Sequence, residues 1–436
     1  MFRRFGLLPL ALLLRGETSS YSALRALRVL QFDRAALAEL RRHRLKALLR
    51  HSVATVPHYR SLGIGLRARL DEFPILAKDT IATAGDSLRS EVAGRASPKT
   101  SGGSTGQPVT VWKSQAAIAQ ERAATWLAFE WYGITPGDRC FRFWGTGGDF
   151  ARRRQALLGD LAMNRITASA FAFGDAEMDS YWRALQAFKP KYVYGYVSML
   201  DTIARRAATH GLRAPEPTPR VVITTSEALH SAQRHAIESA FGAPVRNEYG
   251  CGETGPIAYE CTHGTLHTCD TNLWIETVDD CGTPVRPGYR GRLLITDLTN
   301  HAMPLIRYEI GDSVEMGDPC TCGRALGTLR AVLGRSYDFL EDRAGRRYHG
   351  EAVMYVFEDL RKKGFAVQAF KVQQRHPGSA HVLAVLESQT DPMALRTALI
   401  QMFADRLGGC EVDLQLVTDI PRLKSGKAPL IERLPM

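Results

Sequence analysis

The chain has 436 residues, of which 45% are hydrophobic and 23% are charged, a composition typical of a soluble globular protein long enough for two or three domains. Its net charge of +11 would attract an anionic partner, but the basic residues are spread along the sequence. No groove-reading module and no alternation of aromatic and basic residues accompanies them, so nucleic-acid binding is not expected.

The first sixteen residues join two arginines to an apolar run. Arg3 and Arg4 precede the run from Phe5 to Leu14, which imitates a signal peptide. No small-residue cleavage site follows, and the run is far shorter than the roughly 20 residues that span a bilayer. The segment therefore predicts a packing helix, with peripheral membrane contact through residues 1–16 as the alternative. We expect a cytoplasmic protein.

Further along the chain, the hydrophobic pattern predicts an α/β fold. Leucines at helical spacing predict helices within 21–60, and 115–132 also has a helical pattern. Between 140 and 250, strand-like and helical segments alternate, which favours a largely parallel sheet with helices on its faces. From about Leu266 the pattern predicts a β-rich layer without helices. After residue 334 it predicts a separate α+β module of about 100 residues.

The stretch Thr100–Pro108 reads TSGGSTGQP and predicts a loop that holds phosphate. Glycines let the backbone approach a ligand closely, and successive N–H groups in such a turn can converge on an anion. The loop is not a P-loop, because Gln107 follows Gly106 where that motif needs lysine. A plain surface loop is the alternative reading.

Four later motifs are informative because of the order in which they follow this loop. They are EYGCGETGP (248–256), LIRYEIGDSVEM (305–316), LGRSYDF (333–339) and IPRLKSGKAPL (420–430). Together with the glycine loop they resemble the adenylate-forming, AMP-producing ligase superfamily, from about residue 95 to 433. The chain length and the sequence RYEIGD resemble the phenylacetate–CoA-ligase-like branch of that superfamily.

The resemblance implies both a fold and a reaction. The fold would be α/β, with a large adenylation domain at 1–334, made of mixed sheets with helices and a β-rich layer, and a small mobile α+β domain at 335–436. The reaction would activate a carboxylic acid with ATP and Mg²⁺ to an acyl-adenylate, release pyrophosphate, and then transfer the acyl group to coenzyme A. Such chemistry needs donors and cations where charge develops on the phosphate oxygens.

The resemblance also implies a role for each motif residue. Lys427 would bridge the carboxylate and phosphate oxygens in the transition state, Glu253 would help to hold Mg²⁺, and Asp312 and Arg335 would bind the ribose. The remaining nucleotide contacts would come from the glycine loop, from the adenine-side segment 225–227 and from the motif at 248: Ser101, Gly102, Gly103, Ser104, Thr105, Gly106, Glu227, Asn247, Glu248, Tyr249 and Gly250.

Two positions depart from the family pattern. Tyr337, followed by Asp338, stands at the interdomain hinge where Asp or Lys is usual, which leaves the hinge residue and the second half-reaction open. Gly252 stands where a Thr or Ser often precedes the metal-binding acid, which removes one hydroxyl near Mg²⁺.

Six of the eight cysteines fall between 251 and 322, which suggests a metal site or packing rather than a disulfide scaffold. Cys261, His267, Cys320 and Cys322 would form a closed, structural zinc site. His263 and Cys269 are competing ligands, and buried cysteines that pack as small apolar residues are the alternative. Some relatives in the resembled branch carry zinc at the matching place.

The identity of the acid and of the acceptor stays open. The aromatic and glycine-rich segments 141–148 and 192–198 suit an aryl or medium apolar acid, although most of their residues would pack in the core. Arg142 is a charge within an apolar strand and would face an anionic acyl group or a CoA phosphate. A carrier protein, an amine or a sugar is the alternative acceptor. A non-catalytic nucleotide-binding relative is a second alternative.

Overall fold

The computed structural model describes residues 7–100, 109–144, 157–169, 173, 175–227, 229, 231–332, 339–386, 390–418, 420 and 431–434. The predicted loop Ser101–Gly106, the hinge pair Tyr337 and Asp338, and the predicted ligands Arg335 and Lys427 lie outside these residues. Their roles therefore stay predictions.

The amino-terminal part is helical, as the leucine pattern predicts. Its helices are α1 (Leu8–Arg15), α2 (Ser19–Leu30), α3 (Arg34–Thr55), α4 (Pro57–Ser61) and α5 (Lys78–Ala84). Asp33 caps α3 by accepting a hydrogen bond from the backbone N–H of Ala36 at 3.0 Å. Helix α1 buries Leu8 and Leu12 in the main core, as a packing helix would. No helix among the described residues is both long and apolar enough to cross a bilayer.

A small hairpin flanks the predicted phosphate loop. Strands β1 (Ala96–Thr100) and β2 (Thr110–Ser114) pair antiparallel on either side of residues 101–108. Helix α6 (Gln115–Glu130) follows β2 directly, and the Ser114 side chain caps it by accepting a hydrogen bond from the backbone N–H of Ala117 at 3.1 Å.

One mixed sheet of eleven strands organises the large domain. Its strands are β3 (Cys140–Trp144), β4 (Arg165–Ser169), β5 (Tyr192–Tyr196), β6 (Val221–Thr225), β7 (Val245–Cys251), β8 (Gly255–Glu260), β9 (Leu266–Thr268), β10 (Leu273–Val278), β11 (Arg290–Asp297), β12 (Tyr308–Met316) and β13 (Thr328–Val332). The edge-to-edge order is β10-β11-β12-β13-β9-β8-β7-β6-β5-β3-β4.

The parallel half of this sheet is covered on both faces. Strands β4, β3, β5, β6 and β7 run parallel to one another. Helices α7 (Asp175–Phe188), α8 (Val197–Thr209) and α9 (Ser231–Phe241) contribute to a core with residues such as Phe141 and Val222. Helix α6 faces the sheet through Phe129, whose ring lies 5.4 Å from that of Tyr192. The expected α/β fold with a parallel sheet is therefore confirmed.

Strand β7 joins the parallel half to the β-rich half. It runs parallel to β6 on one side and antiparallel to β8 on the other. The β-rich layer expected after Leu266 is thus part of the same sheet and not a separate one. It begins earlier than expected, because β8 already starts at Gly255.

The carboxy-terminal residues form a second, smaller α+β unit. Its elements are β14 (Phe339–Glu341), β15 (Arg347–His349), α10 (Gly350–Lys362), β16 (Val367–Gln374), β17 (Ser379–Leu386), α11 (Pro392–Arg406), β18 (Glu411–Leu416) and β19 (Ile431–Arg433). Its buried apolar cluster draws all its members from between Leu340 and Ile431. The predicted boundary at 334/335 falls in the undescribed stretch 333–338 and stays a prediction.

Buried charges fix the hairpin to the large domain. Lys113 on β2 is fully buried, contacts the Glu121 carboxylate on α6, and lies 3.3 Å from Asp297 Oδ2. Burial disfavours the charged ammonium, but the two carboxylates outweigh it and raise the pKa of Lys113. The lysine therefore stays charged and holds the two acids together.

We expect Lys113→Met to lower the free energy of unfolding by about 3–5 kcal/mol, because it leaves two buried carboxylates without their shared cation. Urea denaturation followed by circular dichroism measures this loss. The matched control is Lys191→Met, which removes a partly exposed pair with Asp138 and should cost at most about 1 kcal/mol. Equal losses for both variants would contradict a dominant role for the buried cluster.

Candidate active site at the carboxyl edge of the parallel strands

Most of the described motif residues gather where the parallel strands end. Trp144, Tyr196 and Thr225 are the last residues of β3, β5 and β6, and β7 continues to Cys251 beside them. In open parallel sheets, ligands bind at this carboxyl edge. Glu227 follows β6 after Ser226, whose φ of +68° turns the chain at the edge. The sequence motifs thus converge on the expected side of the sheet.

Strand β7 divides its predicted site residues between two faces of the sheet, because successive side chains in a strand alternate. The side-chain oxygen of Asn247 accepts a hydrogen bond from the Thr224 hydroxyl at 3.1 Å on one face. Glu248 lies on the opposite face, where Oε1 accepts hydrogen bonds from Tyr194 at 3.2 Å and from Thr225 at 3.3 Å. The side chains of Asn247 and Glu248 therefore lie on opposite faces of the sheet, although the two residues are adjacent in the sequence.

Tyr249 and Asp312 come together although 63 positions separate them. The Tyr249 hydroxyl donates a hydrogen bond to Asp312 Oδ2 at 2.7 Å. Asp312 follows Gly311, whose φ of +89° is a left-handed conformation that glycine adopts without strain. Gly250, next to Tyr249, packs so closely on the β8 backbone that a Cβ there would lie 2.9 Å from the Gly255 carbonyl oxygen. The contact links two motifs of the sequence directly.

Glu253 occupies a buried turn between β7 and β8, with 6% of its surface exposed. Its Oε1 accepts a hydrogen bond from the Tyr308 hydroxyl at 3.1 Å and lies 3.5 Å from Lys78 Nζ. Burial favours the neutral acid, but Lys78, a backbone N–H and Tyr308 outweigh it and hold the pKa of Glu253 below its usual value. The carboxylate is therefore ionised at neutral pH.

Glu253 fits the role of a magnesium ligand, since an ionised carboxylate is an oxygen donor of the kind that Mg²⁺ prefers. Its two neighbours, Lys78 and Tyr308, were not predicted to belong to the site. Tyr308 lies inside the RYEIGD motif and could have been singled out there. Lys78 begins the short helix α5 and carries no motif signal, so only the fold reveals its proximity.

Glu248 differs from Glu253 in its electrostatic surroundings. Its Oε2 is shielded from solvent and has no hydrogen-bond partner among the described residues. Tyr259, directly opposite on β8, donates its hydroxyl to Thr125 at 2.9 Å instead. Burial raises the pKa of Glu248 to about 7, although Tyr194, Thr225, Tyr259 and Lys99 all act in the opposite direction.

Flat rings surround Glu248 on its face of the sheet. The rings of Trp144 and Tyr194 stack with centroids 5.5 Å apart, and Trp144 lies 4.4 Å from Tyr196. The Tyr196 hydroxyl also lies 3.2 Å from that of Tyr355 in the carboxy-terminal unit. We call Trp144, Tyr194 and Tyr196 the aromatic wall. It comes from both segments that the sequence offered as an acyl pocket.

Arg142 lies on the same face, 5.5 Å from the centroid of the Trp144 ring. Its Nε donates a hydrogen bond to the Thr167 hydroxyl at 3.2 Å, and Nη2 lies 3.8 Å from Asp160 Oδ1. The Arg142 guanidinium therefore has a hydroxyl and a carboxylate of the protein as partners. Phe141 and Phe143, by contrast, are fully buried in the helix-covered core, as expected for most residues of this strand.

The four predicted zinc ligands form one cluster. Cys261, His267, Cys320 and Cys322 place their ligand atoms within 4.8 Å of one another. The Sγ atoms of Cys261 and Cys320 are 3.9 Å apart, and Cys322 Sγ lies 3.2 Å from His267 Nε2. A tetrahedral site with bonds of about 2.3 Å to sulfur and 2.0 Å to nitrogen separates its ligands by roughly 3.3–3.8 Å. The donor set and spacing therefore fit zinc.

The competing ligands lie outside this cluster. His263 Nδ1 contacts the Thr321 hydroxyl at 3.1 Å, and Cys269 is buried in the main apolar core. His267 lies within β9, where the strand directs its ring toward the cysteines. Spacing along the sequence left both histidines open, and strand direction selects His267.

Comparison with known proteins places these features in context. The family model described as AMP-binding enzyme matches residues 100–303. The phenylacetate–coenzyme A ligase of Thermus thermophilus is 28% identical over an alignment of 439 positions, covering 90% of this chain and 96% of that protein. Protein CapK of Staphylococcus aureus is 25% identical over 280 positions, covering 63% of this chain and 61% of CapK.

Solved structures show the same fold. A 2-hydroxyisobutyryl-CoA ligase in complex with 2-HIB-AMP and CoA in the thioesterification state superposes with a TM-score of 0.60 at 19% identity, covering 92% of this chain and 91% of that chain. The same ligase in its postadenylation state gives a TM-score of 0.55 at 17% identity, covering 90% of this chain and 88% of that chain.

We expect Glu248→Gln to stabilise the protein at pH 8 by up to about 3 kcal/mol, since each unit of pKa shift is worth about 1.4 kcal/mol. The folded-state pKa is about 7 and the ordinary value is 4.5. Between these values the folded state binds a proton that the unfolded state lacks, so wild-type stability falls as the pH rises. The gain should therefore be much smaller at pH 5. Urea denaturation at both pH values measures it.

Glu253→Gln is the matched control, because its pKa shift has the opposite sign. The lowered pKa of Glu253 contributes stability above the ordinary pKa of a glutamate, and this is lost as the pH falls through the folded-state value. The variant should be less stable than wild type at pH 8 and approach it under acid conditions. The same pH trend in both variants would contradict the assignment of the two environments.

Proposed function

We propose that this chain, an adenylate-forming ligase of the phenylacetate–CoA-ligase-like branch, uses ATP to convert a carboxylic acid to an acyl-adenylate and then to a coenzyme A thioester. An AMP-forming acid–CoA ligase activity agrees with the AMP-binding match and with the similarity to the Thermus enzyme along nearly the whole chain. The observation that carries the proposal is the direct contact between Tyr249 and Asp312, because it joins the predicted adenine and ribose contacts at one edge of the sheet.

In the first half-reaction, an oxygen of the substrate carboxylate forms a bond to the α-phosphorus of ATP, and the bond to pyrophosphate breaks. Asp312 would accept hydrogen bonds from the ribose hydroxyls, and Tyr249 would hold Asp312 in position. Glu253 would hold Mg²⁺, which when bound offsets the negative charge of the phosphates. The glycine loop 101–106, Arg335 and Lys427 would complete the site.

In the second half-reaction, the thiol of coenzyme A would attack the acyl carbonyl, and AMP would leave. The aromatic wall favours an aryl or medium apolar acid, since flat rings offer apolar contact area with few polar groups. Tyr196 of this wall contacts Tyr355 of the carboxy-terminal unit, so the two units meet beside the predicted acyl site. Tyr337 stands at the predicted hinge position, where Asp or Lys is usual, so the second half-reaction stays open. A carrier protein, an amine or a sugar is the alternative acceptor.

The test is a pyrophosphate-release assay against aryl, fatty and hydroxy acids, each with and without coenzyme A. Acid-dependent release that turns over only with coenzyme A is the expected result. A single burst without stimulation by coenzyme A would favour another acceptor. Purified protein that binds ATP but releases no pyrophosphate with any acid would favour the non-catalytic alternative.

Lys427→Ala should abolish pyrophosphate release while ATP still binds, because the lysine is proposed to act mainly on charge that develops in the transition state. Isothermal titration with ATP and the release assay separate the two effects. Lys424→Ala removes a lysine three residues away and is the matched control. Adenylation at the wild-type rate in Lys427→Ala would refute the assignment of this residue.

We further propose that Cys261, His267, Cys320 and Cys322 hold one structural zinc ion. The four donors fill a tetrahedral set, which leaves no open position of the kind that a catalytic zinc uses. They come from the end of β8, from β9 and from the connection before β13, so the ion would join three parts of the antiparallel half-sheet.

Protein purified without added zinc should contain about one equivalent of the metal. Cys320→Ser should lose the metal and lower the temperature of unfolding, since zinc that binds only the folded state contributes to stability. Elemental analysis and thermal denaturation provide the measurements. Cys281→Ser, at an exposed cysteine outside the cluster, should change neither. If wild-type protein is metal-free and Cys320→Ser is normally stable, these cysteines do not bind zinc and pack as small apolar residues.

A further inference from the structure

Six exposed leucines lie on two neighbouring helical segments at the amino-terminal side of the large domain. We call them the leucine face: Leu10, Leu13 and Leu14 on α1, and Leu157, Leu158 and Leu161 on the helical stretch 157–162. Each exposes between 43% and 72% of its surface. Scattered exposed leucines are ordinary on soluble proteins, whereas a concentration of six on two segments marks an interaction site.

Helix α1 has one face for the core and one face without a partner among the described residues. Leu8 and Leu12 are at most 1% exposed and belong to the main core, so the helix is held firmly. Leu10, Leu13 and Leu14 follow the spacing of a single helical face. Gly16, with φ of +71°, ends the helix in a left-handed conformation. The exposed leucines are therefore displayed from a fixed element.

Several contacts bring the two segments together. Arg15 at the end of α1 reaches Gly159, where a Cβ would lie 3.6 Å from the guanidinium Nη2. Arg122 on α6 contacts the carboxylate of Glu17, just after α1, and its Nη1 lies 4.0 Å from Met163 Sδ, just after the second segment. Both segments thus pack around the same arginine, so their exposed leucines lie on adjacent elements.

The exposed charge within the two leucine segments is positive. Residues 1–16 contain no acidic residue, and Glu17 and Asp160 are both buried against arginines. Arg15 is exposed at the boundary between the two segments. In the sequence, Arg3 and Arg4 precede α1, and Arg152–Arg154 stand shortly before the second segment. An exposed arginine between two apolar segments, with no exposed carboxylate within 7–17 or 157–163, complements a surface with negative headgroups over an acyl layer.

We propose that the leucine face docks on an anionic lipid bilayer, with the six leucines at the acyl boundary and Arg15 against the phosphate headgroups. This interaction holds the enzyme at the membrane surface without spanning it, because α1 is far too short to span. The proposal does not depend on which acid is activated.

Flotation of the full chain with lipid vesicles tests the docking. Vesicles of phosphatidylcholine that also contain phosphatidylglycerol should bind the protein about tenfold or more tightly than vesicles of phosphatidylcholine alone, and added salt should weaken this binding. The double variant Leu13→Ser/Leu157→Ser should bind the anionic vesicles about tenfold more weakly. Thermal denaturation checks that the variant is folded.

The matched control is Leu66→Ser/Val92→Ser, at two positions of similar exposure outside the leucine face. This control should bind vesicles as wild type does. Absence of wild-type binding, or equal binding by both double variants, would overturn the proposal. Sedimentation equilibrium addresses a second copy as the occupant: self-association that the leucine-face variant abolishes, without vesicle binding, would make the face a dimer interface and would also overturn it.

Discussion

The buried charge cluster of Lys113, Glu121 and Asp297 is the constraint on which the arrangement of the site depends. It joins the hairpin that flanks residues 101–108 to helix α6 and to the end of β11. Asn300, just beyond β11, adds hydrogen bonds to the β2 backbone at Trp112 and Ser114. A buried ion cluster is stable only when every member is paired, so the hairpin has one position in which these charges are all satisfied.

The same cluster also constrains the turn that carries Glu253. Gly255 has φ of +85°, and a Cβ there would lie 2.8 Å from the carboxyl carbon of Glu121. The turn can therefore approach α6 only because glycine stands at this position. The turn that carries Glu253 and the hairpin that flanks residues 101–108 are consequently positioned by one set of charges, although they are far apart in the sequence.

The sequence could predict those parts of the site that its motifs encode and could not predict contacts that arise only from the sheet. Strand β7, with its alternating faces, separates Asn247 from Glu248, which a linear motif places side by side. Helix α5 brings Lys78 to Glu253 without any local signal. Strand β9 was not predictable from local pattern, because it has only three residues and tertiary pairing rather than propensity defines it. The cysteine cluster was predictable because ligand chemistry restricts the residue types.

The contrast between the two glutamates follows from where the nearby lysines are engaged. Lys78 lies 3.5 Å from Glu253 and stabilises its ionised form. Lys99 also acts on Glu248, but its ammonium lies 3.0 Å from Glu121 Oε2, so the buried cluster already holds its charge. Because Lys99 is paired with Glu121, it does not offset the cost of burying the ionised Glu248 carboxylate, and the pKa of Glu248 stays raised. The cluster that positions the hairpin therefore also engages, through Glu121, a lysine that acts on the carboxyl group beside the aromatic wall.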